Sequence, residues 1–255
     1  MICEHPMDNL SLLLDLHRRN YRQGPGGEAE TKQALMLARL DKSRPLKIAD
    51  IGCGTGASTI QLAKELDAEI TAVDFLPEFL EELQTRASNH GVADKITTLS
   101  CSMHTLPFAD DEFDVIWSEG AIYNMGFEAG VLAWRRFLKP GGKLIVSEIT
   151  WLTAERPPEL QSHWDAEYPE VDVASAKTGV LERHGFIPEG YFYLPISCWI
   201  DNYYRPMQNG FDAFLERNGG SDQAREIIEC EKAEIALYEK HRDHYSYGVY
   251  IAKKI

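Results

Sequence analysis

Lys47-Ile48-Ala49-Asp50-Ile51-Gly52-Cys53-Gly54-Thr55-Gly56-Ala57 sets a strand against a helix, with glycines between them. The apolar run Ile48, Ala49 and Ile51 ends in Gly52, Gly54 and Gly56, and a helical pattern of Ile60, Leu62, Ala63 and Leu66 follows at once. Strand, glycine turn and helix in this order form a nucleotide-binding arrangement. Glycine lets the backbone turn sharply and lets a ligand approach where a Cβ would obstruct it. The next apolar run, Ile70, Ala72 and Val73, closes on Asp74, at the spacing of a ribose-binding carboxylate.

The glycines alone do not name the ligand. Gly52, Gly54 and Ala57 also satisfy G-x-G-x-x-G/A, so a NAD(P)-dependent oxidoreductase is one reading. Three further features narrow it: Asp50 inside the strand end, Trp117-Ser118-Glu119-Gly120 after a later strand, and Leu138-Lys139-Pro140-Gly141-Gly142 before another. D-x-G-x-G-x-G, an acid after the second strand and then L-K-P-G-G resemble the class I S-adenosylmethionine (SAM) dependent methyltransferases over residues 45–150. W-S-E-G-A-I-Y-N at 117–124, Ser147-Glu148 and Asp74-Phe75-Leu76 look like the bacterial small-molecule members labelled ubiquinone/menaquinone-biosynthesis-like.

The resemblance implies an α/β fold: a Rossmann-like seven-stranded, mostly parallel sheet with an antiparallel last strand, helices on both faces, an N-terminal helical lid and C-terminal insertions. One domain is expected over 1–255, with a helical segment at 1–44, a SAM-binding core at 45–150, and acceptor-side insertions and sheet completion at 151–255. It further implies SAM as cofactor. Asp74 would take both ribose hydroxyls, with Phe75 beside it, and its other reading is a cap on the helix starting near Pro77. Asp50 would organise the loop and reach the methionine ammonium directly or through water, and Gly52, Gly54, Thr55 and Gly56 would line the same moiety. Tyr21 and the loop at 24–27 would border it from the lid, the other reading being a plain helical packing element. Ser102 stands where many relatives carry an adenine-binding Asp, and Met103 would offer the ring a soft face or pack in the core. Ser118 and Glu119 end a strand at the carboxyl edge, where ligands of open α/β sheets bind.

Methyl transfer from a sulfonium is an in-line displacement, which needs positioning more than acid–base chemistry. No catalytic triad is expected. Tyr123, Asn124, Glu148 and Trp151 follow strands and should face the methyl. Tyr123 would position a small-molecule acceptor or act as a weak base; Glu148 would accept a proton or pair with a Lys or Arg. Trp151, Trp164, Tyr168 and Trp199 are either an aromatic pocket or the core of the insertion. Because Ser102 departs from the pattern, a SAM- or S-adenosylhomocysteine (SAH) binding protein without turnover is a further alternative.

The totals agree with this class. At 255 residues and 44% hydrophobic, the chain suits one well-buried α/β domain. A net charge of −14 without a basic cluster disfavours nucleic acid. Cys3, Cys53, Cys101, Cys198 and Cys230 are scattered without C-x-x-C, arguing against a metal site or a disulfide framework and for a reducing, cytoplasmic setting. No apolar run approaches the ~18 residues of a membrane span, and none resembles a signal sequence. His163 and His184 lack metal spacing, His184 reading as a helix C-terminal cap. Ile227, Ile228, Ile235 and Leu237 of the C-terminal helical stretch have two outlets, the sheet or a second subunit as a homodimer.

Overall fold

The structure, a computed structural model, describes residues 10–255. The first part of the expected N-terminal amphipathic helix, residues 1–9, lies outside the described residues. Helices α1 (Leu10–His17) and α2 (Glu28–Ala38) precede β1 (Leu46–Ile51), α3 (Ala57–Glu65), β2 (Ala68–Asp74), α4 (Pro77–Asn89), β3 (Ile96–Ser100), β4 (Phe113–Ser118) and α5 (Phe127–Arg135). Then come β5 (Leu138–Trp151), α6 (Pro158–Glu167), the two-residue β6 (Asp172–Val173), α7 (Ala174–Arg183) and β7 (Phe186–Tyr193). The chain ends with short helices α8 (Ile196–Trp199), α9 (Arg205–Asn209) and α10 (Phe211–Arg217), the long α11 (Asp222–His241) and β8 (Tyr245–Lys254).

The sheet runs β3-β2-β1-β4-β5-β8-β7, with β6 added beside β5. Strands β1 to β5 pair in parallel, and β8 inserts antiparallel between β5 and β7. This is the expected sheet, with β6 as an eighth, minimal strand. The continuous apolar runs have a simple cause: a parallel strand covered on both faces has no wet side. Along β5, Ile145, Ile149 and Trp151 join the core under α2, α3 and the C-terminal helices, while Leu144 and Val146 join the core under α5 and α7.

The Leu138–Gly142 turn is instead the start of β5, with a register break against β4 between Phe113 and Val115. Ser221 caps α11 as its spacing suggested, accepting from the Ala224 amide at 3.3 Å. Ile227, Ile228 and Ile235 are buried within the same chain, while Leu237 is half-buried. His184 is the C-cap of α7, and its ring meets Glu128 at 2.7 Å. Cys53, Cys101 and Cys198 are free thiols. Cys230 is disulfide-bonded, a departure from the expected unpaired thiols. No helix among the described residues is long and apolar enough to cross a membrane.

Because β1 to β4 are parallel, Ile51, Asp74, Ser100 and Ser118 end at one edge. The strand order reverses between β1 and β4, the place where open sheets leave a crevice.

Candidate active site

The crevice holds a cavity of about 510 Å³. Gly52, Cys53 and Gly54 form one side of it. Gly52 has φ +76°, and a Cβ there would stand 2.3 Å from the Ala121 Cβ. Only glycine lets this loop lie so close to the turn after β4.

Asp74 stands in the wall, held by backbone amides: Gly54 donates to Oδ2 at 2.8 Å and Leu76 to Oδ1 at 3.0 Å. Burial pushes its carboxyl pKa up. The Leu76 bond satisfies the amide just before α4, so the helix-entry role coexists with a carboxylate presented to the cavity, each oxygen keeping further acceptor capacity. Phe75 is beside it, 69% exposed. Cys101, Ser102, Met103 and His104 form another wall, and the Ser102 hydroxyl accepts from the His104 amide at 3.3 Å.

Opposite stand Arg22 and Glu119. Arg22 Nη1 donates to Glu119 Oε2 at 2.9 Å, while Thr31 and Trp117 Nε1 both donate to Oε1 at 3.1 Å. Arg22 Nη2 is buried without a partner. Gln23 accepts from the Thr55 amide and hydroxyl at 2.9 and 3.0 Å, and Arg86 donates to Thr55, to Asn20 O and to Tyr21 O. These bonds press the segment after α1 onto the glycine loop.

Several expected site residues support the cavity without lining it. Asp50 is fully buried one layer below, where Thr59 donates to Oδ2 at 2.6 Å and Oδ1 has no partner. Burial pushes its pKa up to about 7. Thr55 is taken up by Gln23 and Arg86, and Ser118 donates to Ile51 O at 2.8 Å. Gly56 is a packing glycine: a Cβ there would meet Leu83 Cδ1 at 2.0 Å. Tyr21 lies outside, its ring 5.6 Å under the Arg86 guanidinium. These residues stand behind the lining, Asp50 in the loop-organising place that was one of its expected roles, and Arg22 and Gln23 line the cavity beside Tyr21.

A second cavity of about 460 Å³ adjoins the first and shares Gly24, Pro25, Leu76, Phe79, Gly120 and Tyr123 with it. Its walls include Trp164, Trp199, Tyr203, Tyr204, Tyr245 and Tyr247. The alternatives of aromatic pocket and aromatic core therefore merge: Trp164 and Trp199 are almost fully buried and still face a cavity. Tyr123 sits at the junction, 6.1 Å edge-on from Tyr168, and burial pushes its hydroxyl pKa up. Asn124 lines the first cavity.

Glu148 faces neither cavity. It is fully buried and receives Lys177 Nζ at 3.1 Å, while Lys177 also donates to Glu170 O at 2.7 Å. Of its expected roles, pairing with a Lys is the observed one. Trp151 packs under the Arg156 guanidinium, away from the junction.

The family described as "Methyltransferase domain" matches residues 48–142. The 27-O-demethylrifamycin SV methyltransferase of Amycolatopsis mediterranei is 30% identical over 197 residues, 75% of this chain and 69% of that protein. The chain belongs to the class I SAM-dependent methyltransferases. The malonyl-[acyl-carrier protein] O-methyltransferase of Pseudescherichia vulneris is 32% identical over 184 residues, 71% of this chain and 65% of that one. A SAM-dependent methyltransferase from Geobacter sulfurreducens, solved with SAH, shares the fold with TM-score 0.84 at 19% identity and full coverage of both chains. The chain spans about half the length of several other curated relatives it matches. In this methyltransferase the matched segment carries the glycine loop, Asp74, Ser102 and Glu119. Arg22 and Gln23 lie before it and carried no local signal, because their role arises only when the segment after α1 folds over the loop.

Proposed function

We propose that this methyltransferase holds SAM in the 510 Å³ cavity and transfers its methyl group to a small-molecule acceptor in the adjoining 460 Å³ cavity. The observation that carries this reading is the shared wall at Gly120 and Tyr123, which sets the two chambers side by side. The residues fit the cofactor. Asp74 has acceptor capacity for both ribose hydroxyls. Arg22 has a buried, unpartnered Nη2 suited to a carboxylate. Met103 offers a polarizable face to adenine, with the Ser102 hydroxyl in place of an acid.

Bound SAM supplies a methyl made electrophilic by the sulfonium, which departs as a thioether. The chain's own part is to hold, orient and exclude water. Tyr123 stays protonated at neutral pH, since burial raises its pKa, so it positions the acceptor by hydrogen bonding instead of acting as a base. Glu148 is structural. Segments 1–44, 45–150 and 151–255 act as one domain, a reading supported by the second cavity, which draws walls from each. A small-molecule partner instead of nucleic acid belongs to the same reading and is supported by the net charge of −14; a cytoplasmic location is part of it too, resting on the free Cys53, Cys101 and Cys198 and opposed by the disulfide at Cys230.

The test is incubation with methyl-labelled SAM and a pool of N, O, S and C acceptors, read by mass spectrometry. Labelled product with matching SAH is expected. Tight SAH binding without product across the pool would favour a binding protein without turnover.

A further inference from the structure

We infer that Arg86, which lines neither of the two cavities, is a positioning residue that sets how long the cofactor stays bound, by latching residues 18–25 onto the glycine loop. This inference rests on the proposed function and concerns its cofactor site. The strap at 18–25 leaves the end of α1, and at its far end Gln23, Gly24 and Pro25 line both cavities. Whatever holds the strap down therefore holds a wall of each chamber.

The latch is a single guanidinium on α4, with a mostly buried side chain. Arg86 Nη1 donates to Tyr21 O at 3.0 Å and to Thr55 Oγ1 at 2.7 Å. Its Nη2 donates to Asn20 O at 3.0 Å and to Arg18 O at 3.3 Å, and its Nε to Glu82 Oε1 at 2.8 Å. Each of its five N–H groups thus has an acceptor. The Tyr21 ring lies 5.6 Å from the guanidinium and adds a cation–π attraction. A lysine, with its donors on one point instead of a planar fork, cannot span these acceptors.

The strap needs such a partner. α1 ends at His17, and the carbonyls beyond it have no following helical turn to accept from. Arg86 serves those of Arg18, Asn20 and Tyr21, and Gln23 Nε2 serves those of His17 and Asn20 at 3.1 Å. Water can replace these donors when the strap lifts, so it can open locally without disturbing the sheet. Thr55 joins the latch to the cofactor site. It accepts from Arg86, its amide and hydroxyl both donate to Gln23 Oε1, and the neighbouring Gly54 amide holds Asp74.

The experiment loads the full chain with radiolabelled SAH, chases with unlabelled SAH and reads release by rapid filtration. Arg86→Lys should release SAH about tenfold faster, with most of its affinity loss in that rate. Glu82→Gln removes only the bond within α4 and should release SAH as wild type does. Thr55→Val removes the shared hydroxyl, and its effect should be less than additive with Arg86→Lys. Hydrogen exchange should quicken at residues 18–25 in Arg86→Lys and stay unchanged in the sheet. Wild-type release in Arg86→Lys, equal acceleration in Glu82→Gln, additive effects, or exchange rising across the sheet as much as in the strap would overturn the inference. If Arg86→Lys does not fold, Thr55→Val decides, and a wild-type release rate there overturns it. Failure of the wild-type chain to bind SAH is a different result: it strikes the proposed function, and the exchange comparison at 18–25 then decides the latch.

Discussion

Arg22 reaches Glu119 at 2.9 Å, and this contact ties the segment after α1 to the end of β4. Glu119 is already held by Thr31 and Trp117, so the guanidinium docks on a fixed partner and keeps its remaining amino group buried without one.

Arg22→Gln should therefore weaken SAH binding. A hydrogen bond to a charged group contributes about 1.5–3 kcal/mol, so affinity should fall roughly 10- to 100-fold by calorimetry. The variant should also unfold at lower temperature, because Glu119 loses its counter-charge. Wild-type SAH affinity would remove Arg22 from the cofactor site.

Asp74→Ala removes the acceptor proposed for the ribose and strips the Gly54 and Leu76 amides of their partner. Two charge-assisted hydrogen bonds at about 1.5–3 kcal/mol each imply a loss of SAM affinity of at least about 100-fold. Asp74→Asn should fall between, since it keeps one acceptor. Near-normal SAM affinity in Asp74→Ala would contradict the ribose role.

Asp50 gives a pH signature. Its pKa rises from 3.8 in the unfolded chain to about 7 in the folded protein, because burial disfavours the charged form. Between those values the folded state binds more protons than the unfolded one, so this group makes stability fall as pH rises through the window. The penalty is complete above pH about 7 and absent below pH about 4. Asp50→Asn cannot ionise. Urea midpoints measured against pH should show a shallower decline for Asp50→Asn than for wild type across that window. Parallel curves would mean that Asp50 stays ionised in the fold.

Lys177 and Glu148 form a buried pair, and their separation tests the structural role of Glu148. Lys177→Met leaves a buried carboxylate uncompensated and should cost about 3–5 kcal/mol in denaturant unfolding. Adding Glu148→Gln should recover much of that loss. SAH affinity should change little in the double variant; a loss of methyl transfer with folding and SAH affinity intact would return Glu148 to the chemistry.

The parallel sheet was legible because β1, β2 and β4 are short apolar runs bounded by turn signals, and Gly52, Gly54 and Asp74 carry chemistry at fixed local spacing. The antiparallel β8 followed from the family resemblance. Legibility failed where contacts span the chain. Asp50 and Ser118 were placed at the right edge by the strands they end, but the spacing did not show that their side chains bond Thr59 and Ile51 O. Side-chain direction at a strand end is set by packing, which one-dimensional spacing does not encode. Arg22, the neighbour of Tyr21, lines the cavity, and no helical or strand period could single it out in an irregular segment. For Glu148 the two roles, proton acceptor or partner of a Lys or Arg, could not be separated by spacing, because Lys177 lies 29 residues later. Glu231 and Glu234 sit in a helix whose apolar stripe was visible, but nothing in that stripe told which acids face inward.

The most direct measurement is thermal unfolding of the full chain with SAM, SAH and NAD⁺ added separately. A ligand at 100 times its dissociation constant adds about 2.7 kcal/mol of stability. The account predicts a clear upward shift with SAM and with SAH, its abolition in Asp74→Ala, and no shift with NAD⁺. A shift with NAD⁺ alone would contradict the reading of the glycine loop and of both cavities beside it.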